Sequence, residues 1–251
     1  MPIMLTTNRF GALRRCLPAA IAGLALVALA GAISAQDQPA PKDMGNKPKP
    51  VAPPADAKVL FGGKEADLDN WDGPRWEVKD GYMIAKGGSI KTKDKFGDCQ
   101  LHVEFKTPYM PDKKGQARGN SGVILQDAYY EIQVLDSYGL PDPGTGDCGA
   151  VYSQSAPLTN ACKPPLSWQT YDIIFRAARF DDQGNVTAKP RVTVIQNGIV
   201  VQNNTEIQGR TADHGPFNKE PGFLELQDHG NPVQYRNVWI KPLPLKGADH
   251  Y

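Results

Sequence analysis

The stretch RVTVIQNGIVVQ, residues 191–202, carries the strongest local indication of secondary structure in the chain. β-Branched and apolar residues recur up to Asn197-Gly198 and begin again directly after it. Asn-Gly favours a type I′ turn because both central residues of that turn need positive φ. The stretch therefore predicts two antiparallel strands joined by a tight hairpin.

Strand-type patterns continue on both sides of this hairpin. Leu101, Val103 and Phe105 alternate with polar residues, as on a half-buried strand. Other β-rich runs cover residues 122–126, 129–135, 170–177, 222–226 and 234–242, the first two joined at Asp127-Ala128. No stretch shows a long helical stripe, and 25 Gly and 22 Pro punctuate the chain. These features predict an all-β fold, a two-sheet antiparallel sandwich or jelly roll with a concave, solvent-facing groove.

The N-terminus is typical of an export signal. Three Arg precede an apolar run over residues 17–33, which ends in Ala32-Ile33-Ser34-Ala35, a small-x-small cleavage pattern. The run is shorter than the roughly 20 residues that a membrane-spanning helix needs, although an uncleaved anchor is the alternative. We therefore expect a signal peptide at residues 1–35 and a secreted or periplasmic protein with no membrane span after cleavage.

Composition divides the rest of the chain into three parts. Residues 36–56 hold six Pro and no aromatic residue, which predicts a disordered linker. Residues 57–245 are enough for one well-buried domain, and residues 246–251 form a C-terminal tail. Loss of the signal removes three Arg and no acid, changing the net charge from +1 to −2. Such a charge gives no electrostatic reason to expect nucleic acid or an anionic membrane as a partner.

The cysteines fit an exported protein. Cys148 and Cys162 flank a Pro- and Ser-rich loop, and a disulfide between them would close about 15 residues and contribute roughly 3 kcal/mol. Cys99 then remains alone beside a strand, where a buried apolar role is expected.

Two polar clusters point to a binding site. Glu131 and Gln133 lie two apart on one strand, so they share a face and can offer a carboxylate and an amide to ligand hydroxyls. A solvated sheet face is the structural alternative. His229 follows a strand in the stretch LQDHGNP, and histidine is the side chain type most often used as a general acid or base. A hydrogen-bonded turn residue is the structural alternative. Arg236 could pair with Glu131, with Asp228 or with a substrate oxygen.

Six stretches together resemble the 3-keto-disaccharide hydrolase domain family, also called DUF1080. They are LFGGKEADLDNW (60–71), GNSGVILQDAYYEIQVLDSYG (119–139), GAVYSQSAP (149–157), WQTYDIIF (168–175), VIQNGIVV (194–201) and LELQDHGNPVQYRNVWIKPL (224–243). The first departs slightly, with Gly62 where the family usually has Asn. The resemblance implies a concanavalin A-like jelly roll, activity on 3-keto-glucosides and a site on the concave face. It implies these site positions: Asn120, Gln126, Glu131, Gln133, Gln227, His229 and Arg236.

The implied chemistry suits these residue types. A keto group at C3 acidifies the C2 proton, so a base can remove it, and the enolate then expels the oxygen at C1; water can add afterwards. His229 and Glu131 are the catalytic candidates, with the base and the acid unassigned between them. Asn120, Gln126 and Arg236 could polarise the carbonyl, and Gln133 and Gln227 could bind substrate.

Two other functions stay open. A retaining glucanase needs two carboxylates about 5–5.5 Å apart, and the strand of Glu131 offers no second one on the same face. A non-catalytic, lectin-like module is compatible with the same fold.

We expect a small carbohydrate as the partner and no cofactor, so a separate sugar 3-dehydrogenase would have to make the substrate. No metal site is predicted. Four acids could contribute to a structural Ca²⁺ site but form no recognisable ligand run: Asp136, Asp142, Asp147 and Asp228.

Overall fold

The computed structural model describes residues 49–245, and its secondary structure is β almost throughout. Fifteen strands follow one another along the chain: β1 (Lys58–Phe61), β2 (Trp71–Asp72), β3 (Glu77–Lys79), β4 (Tyr82–Ile84), β5 (Ile90–Thr92), β6 (Cys99–Lys106), β7 (Ser121–Leu125), β8 (Tyr130–Val134), β9 (Gln169–Arg176), β10 (Arg179–Phe180), β11 (Val186–Ala188), β12 (Arg191–Gln196), β13 (Ile199–Glu206), β14 (Glu225–Leu226) and β15 (Gln234–Pro242). Two short 3-10 helices, Glu65–Asn70 and Gly115–Ala117, interrupt them.

The strands form two main antiparallel sheets. One has eight strands in the order β13-β12-β9-β6-β15-β4-β3, with β1 also paired to β15, and the other has five in the order β2-β5-β14-β7-β8. Strands β10 and β11 form a separate ribbon. The prediction of an all-β, two-sheet antiparallel sandwich of the jelly-roll type is confirmed.

Both predicted hairpins are present. Strands β12 and β13 meet at Asn197-Gly198, whose φ angles are 53° and 83°, as a type I′ turn requires. Strands β7 and β8 are joined by residues 126–129, of which Gln126, Asp127 and Ala128 adopt positive φ. Strand β14 is shorter than the run over residues 222–226 that the pattern predicts.

Large side chains from both sheets fill the space between them. Tyr130 of the five-stranded sheet packs on Phe175 of the eight-stranded sheet, with ring centroids 5.6 Å apart. The Tyr171 hydroxyl donates to the Gln133 carbonyl at 2.6 Å, and the Tyr235 hydroxyl lies 2.5 Å from Ser121 Oγ. Aromatic residues thus bury apolar area and also fix the two sheets to each other through their polar tips.

The outer face of the eight-stranded sheet is covered by ion pairs. His102 is fully buried, stacks on Trp239, and places Nδ1 2.7 Å from Asp172 Oδ1 and Nε2 3.6 Å from Glu104 Oε1. Burial alone would lower the pKa of His102, but the two carboxylates outweigh burial and raise it to about 9. The alternation along β6 predicts that His102 and Glu104 face solvent. Instead, both side chains are buried. One of the groups that cover Glu104 is the main chain of Val51, whose N donates to Glu104 Oε1 at 3.2 Å.

The predicted signal peptide and most of the predicted linker lie outside the described residues. Within the linker, residues 49–56 form no helix or strand, but Val51 O accepts from Asn237 Nδ2 at 2.8 Å and Asp56 pairs with Lys241 at 2.8 Å. Among residues 49–245 no helix is long and apolar enough to cross a membrane.

Candidate functional site

The outward face of the five-stranded sheet gathers the polar residues that the sequence singles out. Gln133 lies opposite Gly122, and Glu131 lies opposite Ile124. Ile132 and Tyr130 point into the core, so the two-residue period of the strand turns Glu131 and Gln133 outward together. The prediction that these two side chains share a face away from the core is confirmed.

Glu131 rests over a glycine. A Cβ added to Gly122 would lie 2.7 Å from Glu131 Oε1, closer than real contacts allow, and 3.2 Å from Cδ, which is tight. Gly122 therefore leaves the room that the carboxyl group occupies. Burial raises the pKa of Glu131 to about 7, and the negative charge of Glu225 adds to this effect. The carboxyl group can therefore gain or lose a proton near neutral pH.

Glu225 is a carboxylate that the sequence analysis missed. It pairs with Ile124, which in turn pairs with Glu131, so the two glutamates lie in one row across three adjacent strands. Strand spacing places their Cα atoms roughly 9–10 Å apart. Glu225 alternates with the buried Leu224 and Leu226. That alternation indicates an outward side chain, but only the strand order shows that it shares a sheet with Glu131.

Gln116 is the second residue that the sequence analysis missed, and it links two predicted site residues. Its Oε1 accepts from Gln133 Nε2 at 3.0 Å and from Asn120 Nδ2 at 3.2 Å, while its Nε2 donates to Gly146 O at 2.7 Å. Asn120 also donates to Gln116 O at 2.8 Å. Gln116 lies in a one-turn 3-10 helix, where no periodicity marks it as functional.

A loop after β14 carries the other predicted residues. Gln227 N donates to Gly122 O, so Gln227 lies beside Gly122, the residue over which the Glu131 carboxyl group packs. Asp228 anchors the loop by accepting from Gly88 N and Gly230 N, each at 2.8 Å, which leaves His229 exposed. The Asp228 carboxylate thus holds its loop, a role that the sequence analysis did not propose.

A pocket of about 480 Å³ lies between this loop and the segment before β7. Its walls are formed by Met110, Lys113, Gln116, Ala117, His229, Gly230 and Asn231. Gln116 thus borders both the pocket that contains His229 and the sheet face that contains Gln133. Lys113 adds a cation that the sequence analysis did not consider.

Two predicted site residues are not brought to this place. Arg236 belongs to β15 of the other sheet, where Nε donates to Glu104 Oε2 at 2.6 Å and the guanidinium covers Trp168 at 4.2 Å. Its neighbour Tyr235 points into the core, so Arg236 faces outward on the opposite side of the sandwich from Glu131. The role suggested for Arg236 at the carbonyl is therefore corrected to an ion pair with Glu104. Gln126 lies in the turn at the far end of the β7–β8 hairpin, two residues beyond Ile124.

The two loop cysteines are free thiols in the structure, so the expected disulfide is not formed there. Gln196 Nε2 lies 3.5 Å from Cys148 Sγ and 3.3 Å from Cys162 Sγ, which brings both sulfurs to one amide group. The pairing of Cys148 with Cys162 stays a prediction. Cys99 is buried, and burial raises the pKa of its thiol to about 12, which suits an inert apolar role.

Within residues 49–245 no group of three or more His, Cys, Asp or Glu side chains is arranged to hold a metal ion. Of the four acids that could contribute to a calcium site, Asp136 lies 3.3 Å from Arg118 Nε, and Asp147 accepts from Gly144 N and Ser137 Oγ. Asp142 is exposed and Asp228 anchors its loop. A structural Ca²⁺ site built from these acids, which the sequence analysis left open without predicting it, stays untested.

Comparison with known proteins agrees with the resemblance seen in the sequence. The 3-keto-alpha-glucoside-1,2-lyase-like domain matches residues 56–241. A crystal structure of a "putative glycosyl hydrolase" from Parabacteroides distasonis ATCC 8503 is 38% identical, covers 82% of this chain and 100% of its own, and superposes with a TM-score of 0.69. A second protein of that description from the same organism is 26% identical, covers 74% of this chain and 99% of its own, and has a TM-score of 0.54. Among curated proteins no sequence matches. Since the domain match spans most of the chain, the protein belongs to the 3-keto-alpha-glucoside-1,2-lyase-like domain family.

Proposed function

We propose that this protein cleaves 3-keto-glycosides by elimination at C1 followed by hydration, which is hydrolysis overall. The observation that carries the proposal is Glu131, a half-buried carboxyl group whose pKa is raised to about 7 on a sheet face lined by amide side chains. Abstraction of an acidified carbon-bound proton needs one such base and no metal-activated water. Family membership and the description of the relatives as glycosyl hydrolases support a carbohydrate substrate.

Glu131 is the proposed base. Its carboxylate takes the C2 proton, and the C–H electron pair moves to give the enolate of the C3 ketone. The enolate re-forms the ketone, a C1–C2 double bond appears, and the C1–O bond breaks with its electrons on the leaving oxygen. Water then adds to C1 and gives its surplus proton to His229, while the proton on Glu131 returns to C2, which gives the free 3-keto sugar and restores both the carboxylate and the acid.

His229 and Lys113 are the proposed cationic groups. His229 is exposed in the pocket wall, from which its ring can protonate the departing oxygen as the aglycone leaves. Lys113 lines the same pocket and offers a positive charge for the enolate oxygen, the role that the sequence suggested for Arg236. Asn120, Gln133 and Gln227 are proposed to hold the sugar hydroxyls, and Gln126 is placed too far along the hairpin to join them at Gly122.

The proposed reaction requires a source of the 3-keto substrate and a compartment in which enzyme and substrate meet. The 3-keto substrate must come from a separate dehydrogenase that oxidises a glycoside at C3. We further propose that both the protein and this substrate meet in the periplasm or outside the cell, since residues 1–35 have the pattern of a cleaved signal peptide. N-terminal sequencing of the protein from the extracytoplasmic fraction tests this, and a chain that begins at Met1 would contradict it.

The test is incubation of the mature protein with 3-keto-trehalose or a 3-keto-β-glucoside beside the unoxidised sugar, with products identified by mass spectrometry. We expect free 3-keto-glucose or its dehydrated precursor from the keto sugar alone. Glu131→Gln should lose about a hundredfold or more in rate, as general bases contribute 10²–10⁴. Glu77→Gln, an exposed position on the edge strand β3, is the matched control and should keep the wild-type rate. Turnover by Glu131→Gln at the wild-type rate would refute the assigned base.

Glu225 supports a second candidate function, direct hydrolysis of an unoxidised glycoside. Inverting glycosidases use two carboxyl groups about 6.5–9.5 Å apart. Glu131 and Glu225 lie in one row of the sheet, with their Cα atoms roughly 9–10 Å apart by strand spacing. The same assay separates the functions, because cleavage of the unoxidised sugar, lost in Glu225→Gln, would favour this candidate. Binding without turnover of either sugar would favour the lectin-like alternative.

A further inference from the structure

The candidate site offers hydrogen-bond acceptors that have no donor. The buried oxygens Asn120 Oδ1, Gln133 Oε1 and Gln227 Oε1 lack a hydrogen-bond partner among residues 49–245. Buried polar atoms are normally paired, because leaving one unpaired costs the free energy of removing it from water without replacing its hydrogen bond. Three such oxygens on residues near Gly122 and Glu131 therefore indicate a binding site for a ligand that donates hydrogen bonds.

Gln116 determines which atom of the neighbouring amides is left unpaired. An amide group can turn over and exchange its oxygen and nitrogen, so its polarity depends on its fixed partners. Gln133 Nε2 is held by Gln116 Oε1 at 3.0 Å and by Gly146 O at 3.3 Å. Asn120 Nδ2 is held by the main-chain and side-chain oxygens of Gln116. Both nitrogens are thus engaged, and both oxygens remain for the ligand.

Gln116 is itself held in one orientation. Its Nε2 donates to Gly146 O at 2.7 Å, and turning the amide over would place its oxygen against that carbonyl. The same turn would set its NH₂ group against the NH₂ groups of Asn120 and Gln133. Three bonds therefore favour a single arrangement, with Gln116 Oε1 toward the two other amides.

We propose that Gln116 is a positioning residue that makes the site specific for an uncharged, hydroxyl-rich glycone and excludes uronates. Hydroxyl groups can donate to the oriented oxygens, whereas a carboxylate of a uronic acid only accepts and would face oxygens alone. The inference deepens the proposed function, because it concerns the glycone at that same site. The inference can be tested by binding alone, without turnover, because binding of the glycone depends on the amide side chains and not on the catalytic base.

The test compares the dissociation constants of methyl β-glucoside and methyl β-glucuronide, measured by NMR titration in the presence of EDTA. We expect the wild-type protein to prefer the glucoside at least tenfold. Gln116→Met keeps the length of the side chain but removes the acceptor at 3.0 Å, which leaves only the longer contact with Gly146 O at 3.3 Å to hold Gln133 Nε2. Gln133 should then turn its NH₂ group outward in part of the molecules, and the preference should fall at least threefold. Asn120 keeps its main-chain bond, so the change acts mainly through Gln133.

Two further variants separate this role from a general effect on folding. Gln116→Glu keeps one oxygen that accepts from Gln133 and Asn120, while its other oxygen replaces the donor to Gly146 O. Stability should therefore fall, but at least the wild-type preference should be kept. Gln183→Met, at an exposed turn remote in sequence, is the matched control and should leave both constants unchanged. An equal preference in Gln116→Met and the wild type would overturn the inference, as would a wild-type protein that binds the glucuronide as well as the glucoside. A preference that appears only with added Ca²⁺ would also overturn it, because the oxygens would then serve a cation.

The enzymatic assay with keto sugars reports separately on the proposed function. If that assay shows no turnover while the binding preference and its dependence on Gln116 hold, the specificity inference stands and the chemistry is refuted. If turnover is found but Gln116→Met leaves the preference intact, the proposed chemistry stands and the specificity inference is refuted.

Discussion

Gly122→Ala tests whether the position of the Glu131 carboxyl group matters for activity. A Cβ at residue 122 would lie 2.7 Å from Glu131 Oε1, while an ordinary contact begins at 3.4 Å. The carboxyl group must therefore move by about 0.7 Å to reach an ordinary contact. A displacement of about 1 Å can cost about a hundredfold in rate, so we expect kcat/KM to fall by roughly 10- to 100-fold.

The same substitution should change stability little. Gly122 lies in β7 without positive φ, so alanine can adopt its backbone conformation and restricts the unfolded chain, a gain of about 0.4–1 kcal/mol. Forcing the flexible end of Glu131 from its rotamer costs about 0.5–1.5 kcal/mol, which offsets that gain. The free energy of unfolding should therefore stay within about 1 kcal/mol of the wild-type value.

The assay combines turnover of a 3-keto-β-glucoside with urea denaturation of the same preparations. Gly97→Ala is the matched control, because its Cβ would meet only Pro221 Cγ at 4.0 Å and its φ is not positive. A folded Gly122→Ala variant with activity within twofold of the wild type would refute the idea that the glycine seats a catalytic carboxyl group. A loss of stability of several kcal/mol would refute the contact analysis instead.

Three other results are expected. Burial raises the pKa of Glu131 and the negative charge of Glu225 adds to it, so Glu225→Gln should lower this pKa. Activity requires the carboxylate form of Glu131, so the rise of kcat/KM with pH should move to lower pH. An unchanged pH profile would contradict the coupling. The pKa of His102 is about 9 when folded and 6.5 ordinarily, so its stabilisation of about 3 kcal/mol is fully present below pH 6.5 and is lost as the pH rises through 9. His102→Gln should flatten that decline in urea titrations, and a persistent decline would point to another group. Oxidation should join Cys148 to Cys162 and so leave one reactive thiol, that of Cys99, in the denatured protein. Reduction of this disulfide should lower the free energy of unfolding by about 3 kcal/mol. Three reactive thiols in the denatured, exported protein would contradict the pairing.

Local patterns in the sequence predict features that depend on a few neighbouring residues. The turn at Asn197-Gly198 follows from the conformations those two residues tolerate. The shared face of Glu131 and Gln133 follows from the period of a strand. Neither conclusion needs to know which strands become neighbours.

Features that depend on strand order were beyond the sequence patterns. Strand β14 lies between β5 and β7, far from either in the chain, and that order places Glu225 in the row of Glu131. Arg236 illustrates the opposite error, since its charge suits the site but its strand belongs to the other sheet. A charged side chain can pair with any opposite charge nearby, so only the packing of β15 beside β6 selects Glu104.

By itself, the sequence determined the all-β class, both hairpins and the placing of a carboxylate beside an amide on one face, because each follows from short-range backbone preferences and the two-residue period of strands. Only the tertiary structure decided which residues assemble around Glu131. Gly122 makes room for its carboxyl group, Glu225 raises its pKa from two strands away, and Gln116 orients the amides from a loop. These contacts join residues that are distant in the chain, and no local pattern encodes such contacts, because they arise only when the strands pair and the loops close over the sheet.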